Sequence, residues 1–142
     1  MRALLDVSVL LALFDGSHEH HRAARRWLER HIHCGWASCA ITQNGFVRII
    51  SQPRYPGAIG TTDAIQRLGR ATTTPQHEYW PCSLSICDEK RVRPDHLTGH
   101  RQVTDAYLLA LAVQQQGRFV TLDRRISPLS VSDAAPEHLV VI

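Results

Sequence analysis

The chain has 142 residues, 44% of them hydrophobic and 20% charged, with a net charge of +3 and a pI of about 8.9. One domain is expected over residues 1–142, burying about two-thirds of the surface that the unfolded chain exposes. No apolar run approaches the roughly 20 residues of a membrane span. The run Val7–Phe14 is bracketed by Asp6 and Asp15 with no small-residue cleavage site after it, so it reads as mature sequence of a cytoplasmic protein with no membrane partner.

At the N-terminus, residues 3–5 form a short apolar run suited to a buried strand. Asp6 stands at its end, and Val7–Phe14 follows as a predicted helix. Ser17 is the expected cap of a second helix over residues 18–32, with Ala24, Trp27, Leu28 and Ile32 on one face. Arg22, Arg25, Arg26 and Arg30 lie on the other face, which is either solvated or a contact for a partner. The cluster His18-Glu19-His20-His21 has no further ligand nearby and reads as a solvated helix start.

A second strand is expected over residues 35–41 (GWASCAI), with Thr42 capping a helix over residues 43–50. Residues 51–60 carry two prolines and two glycines and predict a loop. Thr61 or Thr62 then caps a helix to about Arg70, with Asp63 and Arg67 at i, i+4. Residues 77–80 are a candidate strand. Residues 88–103 are polar, basic and broken by Pro94 and Gly99, and lead directly into Asp105. They are either a flexible connection or a loop that contacts substrate.

Thr104 is the expected N-cap of the next helix, placing Asp105 in the first turn, where the helix dipole favours a carboxylate. Residues 106–113 are apolar all round, so this helix must be covered on more than one side. Gly117 marks its end, residues 118–122 read as a strand, and Asp123 falls where that strand leaves the sheet. Residues 137–142 read as a last strand. Strands alternating with helices predict an α/β fold with a largely parallel sheet.

In such sheets, ligands bind outside the carboxyl ends of the strands. Asp6, Asp105 and Asp123 all fall at that edge. Like charges gathered at one spot require a cation or a proton, and an all-oxygen set suits Mg²⁺ or Mn²⁺. Lys90 is the only lysine, so the basic excess is arginine, which suits bidentate phosphate contact. Cys34, Cys39, Cys82 and Cys87 form two C-x₄-C pairs, looser than zinc knuckles, and read as reduced thiols. Position 8 is serine and no glycine-rich phosphate loop occurs, which argues against dehalogenase-type phosphatases, receiver domains and nucleotide-binding folds.

The segments MRALLDVSVLLALFD, AITQNGFVRIISQPRYPG and HRQVTDAYLLALAVQQQGRFVTLD, with the terminal strand, resemble the PIN-domain family, most closely the VapC-type ribonuclease toxins. The resemblance implies a three-layer α/β/α PIN-like domain around a mostly parallel sheet. It implies an Mg²⁺-dependent (or Mn²⁺-dependent) endoribonuclease in which Asp6, Asp105 and Asp123 hold the metal and do the catalysis. Ser8 and Thr104 match supporting polar positions, and Arg48 is a candidate for facing phosphate or partner. It also implies an RNA substrate, a small cognate antitoxin protein, and a homodimer through the N-terminal helices. Where the family's second acid is usually a glutamate, this chain has Gln43, which supplies no charge and weakens a second metal site more than the first. Asp88, Glu89 and Asp95 are the only nearby acids that could compensate. The substitution keeps open a rival reading, a catalytically weakened PIN-like module that binds RNA or protein.

Overall fold

A computed structural model describes all residues, 1–142. Five parallel strands form the sheet in the order β3-β2-β1-β4-β5. They are β1 (Ala3–Leu5), β2 (Trp36–Ser38), β3 (His77–Tyr79), β4 (Arg118–Thr121) and β5 (Leu139–Val141). The helices are α1 (Val7–Phe14), α2 (His21–His31), α3 (Ala40–Ile50), α4 (Thr61–Thr72) and α5 (Val103–Gln114). The expected α/β fold, with helices on both faces of a parallel sheet, is what the chain adopts.

The alternation of β1 divides the core into two layers. Ala3 and Leu5 join Trp36 and Val120 against apolar residues of α1, α3 and α4, including Leu10, Phe46 and Leu68. Leu4 joins Ala37 and Phe119 on the other face, against Ala106, Leu108, Leu109, Leu111 and Ala112 of α5. Residues 88–103 are tied down rather than loose. Val92 is buried and bridges Val131, and the Arg93 amide donates to Ser130 O at 2.9 Å. Together with residues 128–138 this segment covers the outer side of α5, which is how a helix apolar on every face avoids water.

Several element ends differ from the sequence expectation. Ser17 does not cap α2, which begins at His21 with His20 before it; the Ser17 amide instead donates to Asp15. β2 stops at Ser38 because Cys39 becomes the N-cap of α3. Thr42 is the third residue of that helix, and its hydroxyl accepts from the Cys39 amide at 3.0 Å. Gly60 precedes α4 and makes no side-chain cap, while Asp63 and Arg67 form the expected pair at 2.9 Å. Thr104 is not an N-cap, because α5 begins one residue earlier, after Gln102.

The end of α5 has a Schellman arrangement, with Gly117 N–H bonded to Ala112 O at 2.8 Å and Gln116 N–H to Val113 O at 3.0 Å. The left-handed position there is Gln116 (φ 54°) rather than Gly117. Gly117 is required for space instead. A Cβ there would stand 2.5 Å from Trp80 Cη2 and 2.7 Å from Arg2 O.

Candidate active site

The strand order reverses direction at β1, whose neighbours are β2 on one side and β4 on the other. Crevices for ligands open at such a switch point, at the carboxyl ends of the strands. Asp6 follows β1 and Asp123 follows β4, so two carboxylates lie on adjacent strands at this point.

Asp6 is 8% exposed and tightly held. Its Oδ1 accepts from the Val7 amide at 2.7 Å, capping α1, and its Oδ2 accepts from Ser8 Oγ at 2.8 Å and Thr121 Oγ1 at 2.7 Å. Ser8 Oγ accepts in turn from the Leu122 amide at 3.3 Å, and Thr121 Oγ1 from the Asp123 amide at 3.0 Å. Two hydroxyls therefore tie the end of β1 to the end of β4. Ser8, expected as a supporting residue, holds Asp6 through its hydroxyl. Thr121 holds Asp6 too, although sequence reasoning passed over it; the signal was a hydroxyl at the last position of a strand.

Asp123 carries a guanidinium. Arg125 reaches it with Nη2 to Oδ2 at 2.7 Å and Nε to Oδ1 at 3.0 Å, and the Arg125 amide adds a bond to Oδ1 at 2.8 Å. These bonds hold the Asp123 carboxyl below the usual carboxylate range. Asp105 contrasts with both, because its carboxylate receives no hydrogen bond or ion pair. Burial, then the charges of Asp6 and Asp123, push its pKa up from 3.8 to about 7, with Arg125 pulling the other way. Asp105 is thus a half-buried acid surrounded by like charge.

The remaining candidates are dispersed. Thr104 is exposed in the first turn of α5, and Arg48 is exposed near the end of α3. Gln43 donates from Nε2 to Ser38 Oγ at 2.9 Å, and Ser38 Oγ lies 2.8 Å from His77 Nε2. Its partners are therefore at the β2–β3 end of the sheet, and it lines a groove between α3 and α4 with Val47 and Leu68. The α3 residue pressed against the start of α1 is Gly45, where a Cβ would meet Val7 Cγ2 at 2.6 Å. His18, His20 and His21 gather no ligand set, and all four cysteines are free thiols. Asp88 accepts from the Lys90 amide at 3.0 Å and Asp95 lies beside His96.

No three His, Cys, Asp or Glu side chains stand close enough together to enclose an ion. Mg²⁺ does not need such a cage, since it keeps several waters and takes one or two carboxylates directly. The donors present suit it: they are all oxygen, and the Asp105 carboxylate is in no hydrogen bond or ion pair. An open cleft of about 390 Å³ borders them, lined by Ser8, Leu122, Asp123, Arg124 and Arg125. A larger, apolar pocket of about 420 Å³, lined by residues such as Leu10, Phe14 and Leu28, includes none of the acids.

Residues 3–130 match the PIN domain family. The chain is 56% identical over 142 residues to Ribonuclease VapC44 of Mycobacterium tuberculosis, covering the whole of both chains. It is 39% identical over 144 residues to Ribonuclease VapC39 of the same organism, covering 100% of this chain and 99% of that one. Among solved structures it is similar to M. tuberculosis VapC20, described as a sarcin–ricin loop cleaving toxin. The TM-score is 0.64 at 14% identity, covering 94% of this chain and 99% of that one. It is also similar to a chain of VapBC2 from Rickettsia felis bound to a promoter DNA fragment, with a TM-score of 0.60 at 14% identity, covering 87% and 89%. At that identity the two structures support the fold, and the two sequence relatives identify the kind of PIN domain. The chain belongs to the PIN-domain family, in its VapC branch.

Proposed function

We propose that residues 1–142 act as a single nuclease domain, an Mg²⁺-dependent endoribonuclease that serves as the toxin of a type II toxin–antitoxin pair. Mn²⁺ is a suitable substitute for Mg²⁺. The observation that carries this reading is Asp105, half-buried and without a partner, beside Asp6 and Asp123 at the switch point of a VapC-family sheet. Asp6 and Asp105 would hold the ion directly or through water, with Asp123 adding negative charge. When bound, Mg²⁺ supplies an acidified water and neutralises charge on the scissile phosphate.

The chain's own part is orientation. Ser8, Thr121 and the Val7 amide fix both Asp6 oxygens, and such supporting bonds set the geometry of a metal-binding carboxylate. Burial of the Asp105 carboxyl strengthens its preference for a cation over water. In-line hydrolysis leaves a 5′-phosphate and a 3′-hydroxyl. The natural partners are an RNA substrate, a small antitoxin protein of the VapB kind, and a second copy of this chain through the N-terminal helices. No helix is long and apolar enough to cross a membrane.

Gln43 favours a second reading, a PIN-like module that binds RNA or protein with little cleavage, because its amide is spent on Ser38. One experiment separates the two: purified protein with total RNA in Mg²⁺, Mn²⁺ or EDTA, beside Asp6→Asn. Metal-dependent products that disappear in the variant support the nuclease. RNA binding without cleavage in any ion supports the module.

A further inference from the structure

RNA is a polyanion, and three carboxylates at one sheet edge repel it. Two arginines, Arg124 and Arg125, line the cleft at that edge, and Arg125 is the one held in place by an acid. The Arg125 fork described above, with a further Nε contact to Oδ2 at 3.2 Å, commits both Asp123 oxygens. The backbone bond from Arg125 to the same carboxylate closes a ring and fixes where the guanidinium lies.

A guanidinium carries five N–H donors, and this pairing uses one on Nε and one on Nη2. The Nη1 donors and the second Nη2 donor meet no acceptor, and the side chain is 58% exposed. They open onto the cleft shared with Ser8, whose hydroxyl is bonded to Asp6. The Arg125 charge is also felt at Asp105. A planar donor edge, fixed beside the acids and open to solvent, has the geometry for phosphate oxygens.

We infer that Asp123 serves this site by holding Arg125, whose free guanidinium edge binds a substrate phosphate, so that Asp123 is a positioning residue for that cation. The inference rests on the nuclease reading above and assigns the third acid of that site a further task. Asp123 is held by a two-pronged ion pair. Asp105 has no such bond.

The test uses Asp123→Asn, Arg125→Ala, Arg125→Lys and the double variant Asp123→Asn/Arg125→Ala. Two quantities are measured: Mn²⁺ affinity by calorimetry, and binding of a fluorescein-labelled oligouridylate in EDTA by anisotropy. Arg125→Ala and Asp123→Asn are each expected to weaken RNA binding about tenfold at low salt, and the double variant to be no weaker than either. Arg125→Lys should recover only part, lacking the fork. Mn²⁺ affinity should not fall in Arg125→Ala, which removes only a positive charge felt at Asp105. The idea is overturned if Arg125→Ala binds RNA as tightly as wild type, if it loses Mn²⁺, or if Asp123→Asn binds RNA more tightly because a negative charge has gone. Asp105→Asn is the control. Wild-type protein that binds no Mn²⁺ and cuts no RNA sinks the nuclease reading, while the EDTA series still reports on Arg125.

Discussion

Thr121 Oγ1 stands 2.7 Å from Asp6 Oδ2 and 3.0 Å from the Asp123 amide nitrogen, so one fully buried hydroxyl sits between two acids. It donates to the first and accepts from the backbone of the second. The spacing between Asp6 and Asp123 depends on this bridge as much as on the pairing of β1 with β4.

Thr121→Val keeps the shape and removes the bridge. Asp6 Oδ2 is left with Ser8 alone, and the Asp123 amide loses its partner, which should cost about 1–3 kcal/mol of stability. Mn²⁺ affinity or cleavage rate should fall about 10–100-fold, the usual effect of losing a group that orients a metal-binding carboxylate. Calorimetry and a cleavage assay on the folded variant check both. Unchanged values would mean that Ser8 holds Asp6 unaided.

Asp105→Asn should abolish Mn²⁺ binding and yet stabilise the metal-free protein at neutral pH. The folded pKa, about 7, lies above the unfolded value of 3.8. The fold therefore favours the protonated acid. The unfolded chain ionises first as pH rises, so stability drains away between about pH 4 and pH 7 and is level above that. The variant should match wild type near pH 4 in EDTA and melt roughly 3–10 °C higher at pH 7.5. Scanning calorimetry at the two pH values decides it, and a variant that melts lower at pH 7.5 refutes it.

His77 has the opposite acid behaviour. Burial, joined by the charge of Arg2, lowers its pKa below 6.5 against a backbone hydrogen bond to Thr72 and the charge of Glu78. The neutral ring suits the fold, so its contribution is complete above pH 6.5 and is lost as pH falls from there through the folded value. Melting temperature should drop over that window less steeply in His77→Gln. Gln43→Glu brings a negative charge to the same network and should raise the His77 pKa by about one pH unit, readable by NMR. If the pKa stays put and Mn²⁺ affinity rises, the new carboxylate has turned toward Asp6 instead.

Gly117→Ala should destabilise by about 1–3 kcal/mol, because Arg2 O cannot retreat without disturbing the pairing of β1 with β4. Chemical denaturation measures the loss, and cleavage per folded molecule should be unchanged. A variant as stable as wild type would show that Trp80 moves aside freely.

The sequence was most legible where one local rule decided the outcome. Ala3–Leu5, Asp6 and Val7–Phe14 fall where apolar runs and a capping acid put them. The all-round apolarity of α5 correctly demanded cover on two sides. Local rules failed where a distant partner decided. Thr42 looks like a cap, yet Cys39 takes that place because β2 must end at Ser38 to bond Trp80 N at 2.9 Å. Gly117 looks like a left-handed residue, and Trp80, 37 positions earlier in the chain, is the reason it is glycine. The role of Gln43 is hidden for the same cause, since Ser38 and His77 come from two other strands. Arg125, only two residues after Asp123, was visible but has no periodicity to announce it.

The bond from Thr121 to Asp6 joins positions 115 residues apart. While the chain is being synthesised, Asp6 leaves the ribosome 115 residues before the Thr121 hydroxyl, and the third acid follows that hydroxyl. A nascent chain therefore carries no assembled acid site until β4 has emerged and paired with β1. The site is thus completed as a late step of folding, after the residues of α1 to α5 have all emerged.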